Sequence, residues 1–117
     1  MALLYATVSP ETNYTKGNSI YEHSVTLSSP GTSDDILLHD NTGRHENVIA
    51  GLSVSGGGQG KVQFTFSTRA NVIAGTAVWF DWDSGSVNAN TYEKLPHVSA
   101  IRLVNTAGTT VLEVRWV

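Results

Sequence analysis

Apolar and polar residues alternate with a period of two in several segments of the chain, and this alternation restricts the fold more than any other feature. Val62, Phe64 and Phe66 would share one face of a strand, with polar residues between them on the other face. The same spacing recurs over residues 112–116, whereas helical periodicity is nearly absent. The chain also contains 13 Val, 13 Thr and 5 Ile, and β-branched side chains favour strands because they suit a pleated surface. We therefore predict an all-β fold.

Turn-forming residues separate the alternating segments at intervals typical of a β-sandwich or barrel. We predict eight strands, over residues 3–8, 19–28, 36–39, 47–55, 61–68, 76–82, 98–105 and 109–116. Residues 105–108 include Asn and Gly between two alternating segments, which predicts a hairpin turn. The glycine-rich segment 56–60 predicts a flexible loop or a contact point between two other strands.

Long polar connections join these predicted strands, over residues 9–18, 29–35 and 83–95. Eight short strands with long connections suggest two packed sheets with jelly-roll or related topology. A chain of 117 residues has the size of one domain. We predict a single antiparallel, jelly-roll-like β-sandwich over residues 1–117, with an N-terminal arm over about residues 1–18.

The charge and cysteine content exclude several partners. The 7 Lys and Arg against 10 Asp and Glu form no basic cluster, which argues against nucleic acid. No segment approaches the roughly 18 apolar residues of a membrane span, and the first residues lack the pattern of a secretion signal. We therefore expect neither a membrane partner nor secretion. Because the chain has no cysteine, we expect its core or its assembly to supply stability instead of disulfides.

Three segments contain residues found in metal or phosphate sites, but each has a simpler interpretation. Residues 39–46 combine two His with two carboxylates, as zinc or a general base requires, yet their spacing fits a polar turn better. Residues 81–85 begin like a calcium loop but lack its later ligands. Residues 56–61 lack the first glycine and the hydroxyl of a phosphate-binding loop. We predict no metal, no cofactor and no enzymatic activity.

Large aromatic side chains occupy both faces of one predicted strand. Val78, Phe80 and Trp82 would share its buried face. Trp79 would then point outward beside Asp81, as in a sugar-stacking platform or an interface hot spot, unless loops or strands cover both tryptophans. One hypothesis is therefore a carbohydrate-binding or tail-associated receptor-binding module. Its candidate glycan-binding residues are Trp79, Asp81, Trp82 and Tyr92.

Residues 95–116, together with the glycine-rich segment before them, resemble the closing β-hairpin of small all-β virion proteins of tailed bacteriophages. Over about residues 47–117 the pattern resembles the capsid decoration or cement proteins, which are jelly-roll-like modules on the outside of an icosahedral head. The resemblance implies a virion protein of the outer capsid surface, made in the host bacterial cytoplasm, that binds the major capsid protein and bridges its subunits. It also implies a homo-oligomer, for which we predict a trimer.

The resemblance transfers no binding residue one to one, so the predicted capsid or subunit contacts come from the residues themselves. The N-terminal arm and the segments 29–35 and 40–46 are polar or irregular, yet they contain aromatic and basic side chains that could act as anchors. The predicted contact residues are Leu3, Leu4, Tyr5, Tyr14, Asp40, Arg44 and His45.

Overall fold

The computed structural model describes residues 3–5, 7–8, 21–38 and 48–116. Within them the chain forms nine strands and one short helix. In chain order these are β1 (Leu3–Tyr5), β2 (Thr7–Val8), β3 (Tyr21–Leu27), β4 (Gly31–Thr32), β5 (Asp35–Leu37), β6 (Val48–Thr65), α1 (Arg69–Ala74), β7 (Trp79–Asp81), β8 (Thr91–Leu95) and β9 (Ala100–Trp116). No helix among these residues has the length and apolar character that crossing a membrane requires.

Two long strands, β6 and β9, form an antiparallel ribbon at the centre of the sheet. Their register runs from Ile49 opposite Arg115 to Thr65 opposite Ala100. β3 pairs with the C-terminal half of β9, while β4 and β5 pair with its N-terminal half. β7 and β8 pair with opposite ends of β6. These pairs are antiparallel, as is the β2–β3 pair, and β1 runs parallel to β5.

This strand network confirms the predicted all-β, antiparallel fold. The nine strands of the described residues belong to one hydrogen-bonded sheet, and the finer jelly-roll connectivity stays a prediction. The predicted strands 47–55 and 61–68 correspond to the two halves of β6. The predicted strands 98–105 and 109–116 correspond in the same way to the two halves of β9.

The predicted hairpin turn at 105–108 and the loop interpretation of 56–60 are wrong, because β9 and β6 run through these segments. The alternative prediction for 56–60, a contact point, is confirmed by the close approach of Gly58 to Gly108. The two segments lie side by side, where the register between the strands shifts, and we call them the ribbon bulge. A Cβ atom on Gly108 would lie 2.6 Å from the Cα atom of Gly58. Turns and bulges both require left-handed backbone, so the sequence pattern does not tell one from the other.

Asn105 fixes the ribbon bulge by hydrogen bonds from its buried side chain. Its Nδ2 donates to the carbonyl oxygens of Ser29 and Gly108, both at 2.9 Å. Its Oδ1 accepts a hydrogen bond of 3.1 Å from Oγ1 of Thr110, which is also buried. Ser29 lies in the connection between β3 and β4, so the Asn105 side chain links this connection to the ribbon bulge.

Buried apolar side chains form two cores. The main core contains Leu112, Val114 and Trp116, which confirms the predicted inward face at the end of β9. A smaller second core consists of Leu37, Val72 and Ala100, with Ala77 and Trp79 packed against it. Leu37 follows Ile36 and Ala100 precedes Ile101, and both isoleucines belong to the main core. Because successive residues of a strand point to opposite faces, the second core lies on the opposite face of β5 and β9.

The second core changes the burial at the end of β6. Val62 is buried as predicted, but Thr65, predicted to face solvent, is also buried. Phe66, predicted to face the core, is 53% exposed. Thr65 lies opposite Ala100 and Trp79, so the second core covers the face that the alternation assigned to solvent at this position. Phe66 lies beyond the last residue of β6.

Helix α1 and strand β8 were not predicted. The Oγ1 of Thr68 accepts a hydrogen bond of 3.2 Å from the amide of Asn71 and caps the start of α1. Gly75 ends the helix with φ of 81°, and its amide donates a hydrogen bond of 3.1 Å to the carbonyl oxygen of Val72. Six residues are too few to show helical periodicity, so only these caps signal the helix.

Candidate functional site

The predicted capsid contacts lie mainly outside the described residues. This applies to Tyr14, Asp40, Arg44 and His45. Leu3, Leu4 and Tyr5 form β1, whose backbone pairs in parallel with Asp35–Leu37 of β5. The beginning of the predicted arm is therefore a strand of the sheet, and its role in capsid contacts stays a prediction.

The four predicted glycan-binding residues do not share one surface. Trp79 lies opposite Thr65 and Tyr92 lies opposite Gly51, so they pair with opposite ends of β6. Trp82 is only 2% exposed, and its Nε1 donates to the Gly85 carbonyl at 2.6 Å. A buried indole offers no face for a sugar ring to stack on.

In the segment around β7, Trp82 is buried as predicted, and both tryptophans are covered, as the alternative interpretation predicted. Val78 and Phe80, predicted to be buried, are 62% and 47% exposed. Trp79, predicted to point outward, is half-buried against the second core, and Cζ of Arg102 lies 4.1 Å from its ring centroid. Trp79 is covered because it lies on the face of β7 that packs against the second core.

Asp81 belongs to a row of polar side chains across the sheet and to no calcium loop. Its carboxylate accepts hydrogen bonds from Gln63 at 2.8 Å and Lys61 at 3.1 Å, and these bonds lower the pKa of Asp81. The following turn is held by Glu93, which accepts hydrogen bonds from the amide and hydroxyl of Ser84. Among the described residues no three His, Asp or Glu side chains come together as a metal site.

Three phenylalanine rings cluster where β6 and β7 meet. Phe64 and Phe80 stack with their centroids 6.1 Å apart, and Phe66 lies 5.4 Å from Phe64 and 5.8 Å from Phe80. Val78, two residues before Phe80, is also exposed, and its amide donates to Oγ of Ser67 at 3.0 Å. We call the exposed side chains Phe66, Val78 and Phe80 the aromatic surface. Clustered exposed apolar side chains of this kind mark interaction sites.

A shallow trough of about 630 Å³ lies across β3, β6 and β9. Its walls include exposed Ile49 together with Glu22 and Arg115, which form an ion pair at 3.0 Å. Two of the charged groups of the trough thus contact each other, and exposed pairs of this kind contribute little to stability.

A smaller pocket of about 170 Å³ lies between α1 and the sheet, and we call it the α1 pocket. Its walls combine small apolar side chains with one acidic, one basic and one aromatic residue. They are formed by Asp35, Val72, Ile73, Ala74, Gly75, Ala77, Trp79 and Arg102.

The two charged residues of the α1 pocket differ in their hydrogen bonding. Nε of Arg102 donates to Oε1 of Gln63 at 2.8 Å, and its guanidinium covers Trp79. Asp35 is only 6% exposed, and its Oδ1 has no hydrogen-bond partner among the described residues. Burial raises the pKa of Asp35, although the charge of Arg102 opposes this, and burial also lowers the pKa of Arg102.

Sequence reasoning identified Trp79 but missed Asp35 and Arg102. The two residues are far apart in the chain and meet because β5 pairs with β9, with Ile36 opposite Ile101. An isolated acidic residue and an isolated basic residue carry no local signal for such a meeting.

Asp35→Asn is expected to remove a pH-dependent loss of stability. Because the folded-state pKa of Asp35 is raised, its charge destabilises the fold once the pH rises above the ordinary value of 3.8 and through the raised value. The difference in unfolding free energy between the variant and the wild type should therefore shift in favour of the variant between acid and neutral pH. Urea unfolding across the pH range measures this, with Asp34→Asn as the control for the loss of one charge. Parallel curves for the wild type and Asp35→Asn would contradict the assignment.

No known protein family matches the sequence, and comparison with curated proteins finds no similar sequence. Function is therefore inferred from the described residues together with the sequence resemblance.

Proposed function

We propose that this chain is a structural virion protein of the capsid decoration type, which binds the outer surface of a bacteriophage head and bridges major capsid protein subunits. The observation that carries the proposal is the aromatic surface, where two phenylalanines and a valine are exposed side by side. A homo-oligomer, as the resemblance implies, would present several copies of this surface at once and gain avidity from simultaneous contacts.

The aromatic surface has properties that favour binding to another protein. Aromatic side chains dominate the binding energy of protein interfaces, since they bury a large apolar area. Phe66 and Phe80 already contact each other and Phe64, so ordering them on binding loses little side-chain entropy. The polar composition of the rest of the chain, with 15% charged residues, leaves few charges that a partner would have to desolvate.

The copy number of the chain in purified virions tests the proposal directly. Quantitative gels or native mass spectrometry of particles from the source of the gene should give hundreds of copies, in simple ratio to the major capsid protein. A few copies would indicate the tail or the portal vertex instead. Absence of the chain from the particles would contradict any virion function.

The double substitution of Phe66→Ser and Phe80→Ser is expected to weaken attachment to undecorated heads about tenfold or more. Both side chains are exposed, so the fold should persist, and circular dichroism should show this. Ile49→Ser is the matched control, because it removes an exposed apolar side chain from the other end of β6. Cosedimentation with purified heads measures the affinity. Equal affinities of the double variant and the control would show that attachment uses another surface.

A further inference from the structure

We propose that the α1 pocket binds one neutral sugar ring, whose neighbouring hydroxyl groups bridge Asp35 and Arg102. This site is separate from the aromatic surface and does not depend on attachment to a capsid. It contains only one of the four glycan-binding residues that the sequence suggested, Trp79.

The first reason is an unsatisfied carboxylate at the wall of the pocket. Asp35 is more than nine-tenths buried, and its Oδ1 has no hydrogen-bond partner among the described residues. A buried polar atom without a partner destabilises the fold, which is why such atoms are rare unless a ligand completes them. Asp35 lines the α1 pocket, so its carboxyl group is the acceptor that a donor entering the pocket meets.

The second reason is a pre-positioned guanidinium in the same pocket. Arg102 is fixed by Gln63 at 2.8 Å and by the Trp79 ring at 4.1 Å. An arginine has five N–H donors, and the contact with Gln63 uses the one on Nε. No described residue accepts a hydrogen bond from the remaining donors, which leaves them for an acceptor on the ligand.

The charges of the two residues select the ligand class. Asp35 repels an anion, while Arg102 repels a cation, so a neutral ligand with both donors and acceptors fits best. A hydroxyl group is both a donor and an acceptor. Two neighbouring hydroxyls on one ring can therefore donate to Asp35 and accept from Arg102 at the same time.

The size and walls of the α1 pocket favour a single ring. Its volume of about 170 Å³ lies below the range of roughly 300–1,000 Å³ that is typical of pockets for drug-sized ligands. Val72, Ala74 and Ala77 provide apolar walls against which the C–H groups of a sugar can pack. An oligosaccharide could place one residue in the pocket while its remainder stays in solvent.

Titration of the purified chain with glucose, galactose, mannose and N-acetylglucosamine tests the proposal. At least one sugar should produce saturable shifts in the amide resonances of Ala74, Gly75 and Arg102, together with a change in tryptophan fluorescence. The fluorescence change should disappear in Trp79→Phe. If no sugar shifts these amides, or if glycine binds there and the sugars do not, the proposed ligand class is wrong.

Two variants locate the site, and one serves as the control. Asp35→Asn should weaken sugar binding about tenfold or more, because the carboxylate acceptor is lost. Ala74→Leu should abolish binding by filling the pocket while leaving both charged groups in place. Asp34→Asn removes the same charge one residue away, outside the pocket walls, and should change the affinity less than about twofold. Sugar binding that survives both pocket variants would place it elsewhere, and neither result bears on the copy number in virions.

Discussion

Gly108→Ala is expected to destabilise the fold by about 3 kcal/mol or more. Gly108 has φ of 57°, and a Cβ atom there would lie 2.6 Å from Cα and 2.7 Å from N of Gly58. The strain of a left-handed alanine adds to a collision with backbone atoms, which cannot move aside as a flexible side chain can. Thermal unfolding should show a decrease in Tm of about 10 °C or more.

Gly85→Ala is the matched control for this prediction. Gly85 also has a left-handed backbone, with φ of 64°, but no atom lies within 4 Å of its added Cβ. Its destabilisation should be only about 1–2 kcal/mol, from backbone strain alone. Equal losses for the two variants would show that the close contact in the ribbon bulge does not contribute.

Asn105→Ala is expected to destabilise the fold by about 3 kcal/mol. The substitution removes the donor to the carbonyls of Ser29 and Gly108 and leaves the buried hydroxyl of Thr110 without its acceptor. Buried groups that lose a partner destabilise more than exposed ones, since water cannot replace the bond. Chemical denaturation at neutral pH measures the loss.

Thr106→Ala provides the control for Asn105→Ala. Thr106 is the next residue in the chain and also bonds across the bulge, with its hydroxyl donating to Gln59 at 2.9 Å. Because Thr106 is exposed, water can replace this bond, and the loss should stay below about 1 kcal/mol. A loss for Asn105→Ala as small as this would contradict a fixing role for Asn105.

These two predictions concern a region that the sequence pattern misrepresents. Asn105 and Gly108 are residue types typical of a hairpin turn, and the glycines of 56–60 are typical of a second loop. In the structure the two segments pair with each other across β6 and β9. Whether such residues reverse the chain or bulge it depends on which strand lies opposite, and this is a property of the whole sheet.

The candidate sites show the same limit of local sequence reasoning. The sequence marked the aromatic residues near β7 as unusual, but it assigned Trp79 to solvent and Phe80 to the core. The small helix α1 reverses this assignment because it adds a second core beneath Trp79. Asp35 and Arg102 carried no signal, since only the pairing of β5 with β9 brings them to one pocket.

The sequence by itself determined the all-β class and the inward face of residues 112–116, because alternation and β-branched content act locally along each strand. Only the tertiary structure decided the ribbon bulge, the second core, the exposure of Phe66 and Phe80, and the isolation of the Asp35 carboxylate. Each of these depends on which distant residues lie opposite one another across the sheet, and a period of two contains no information about that choice.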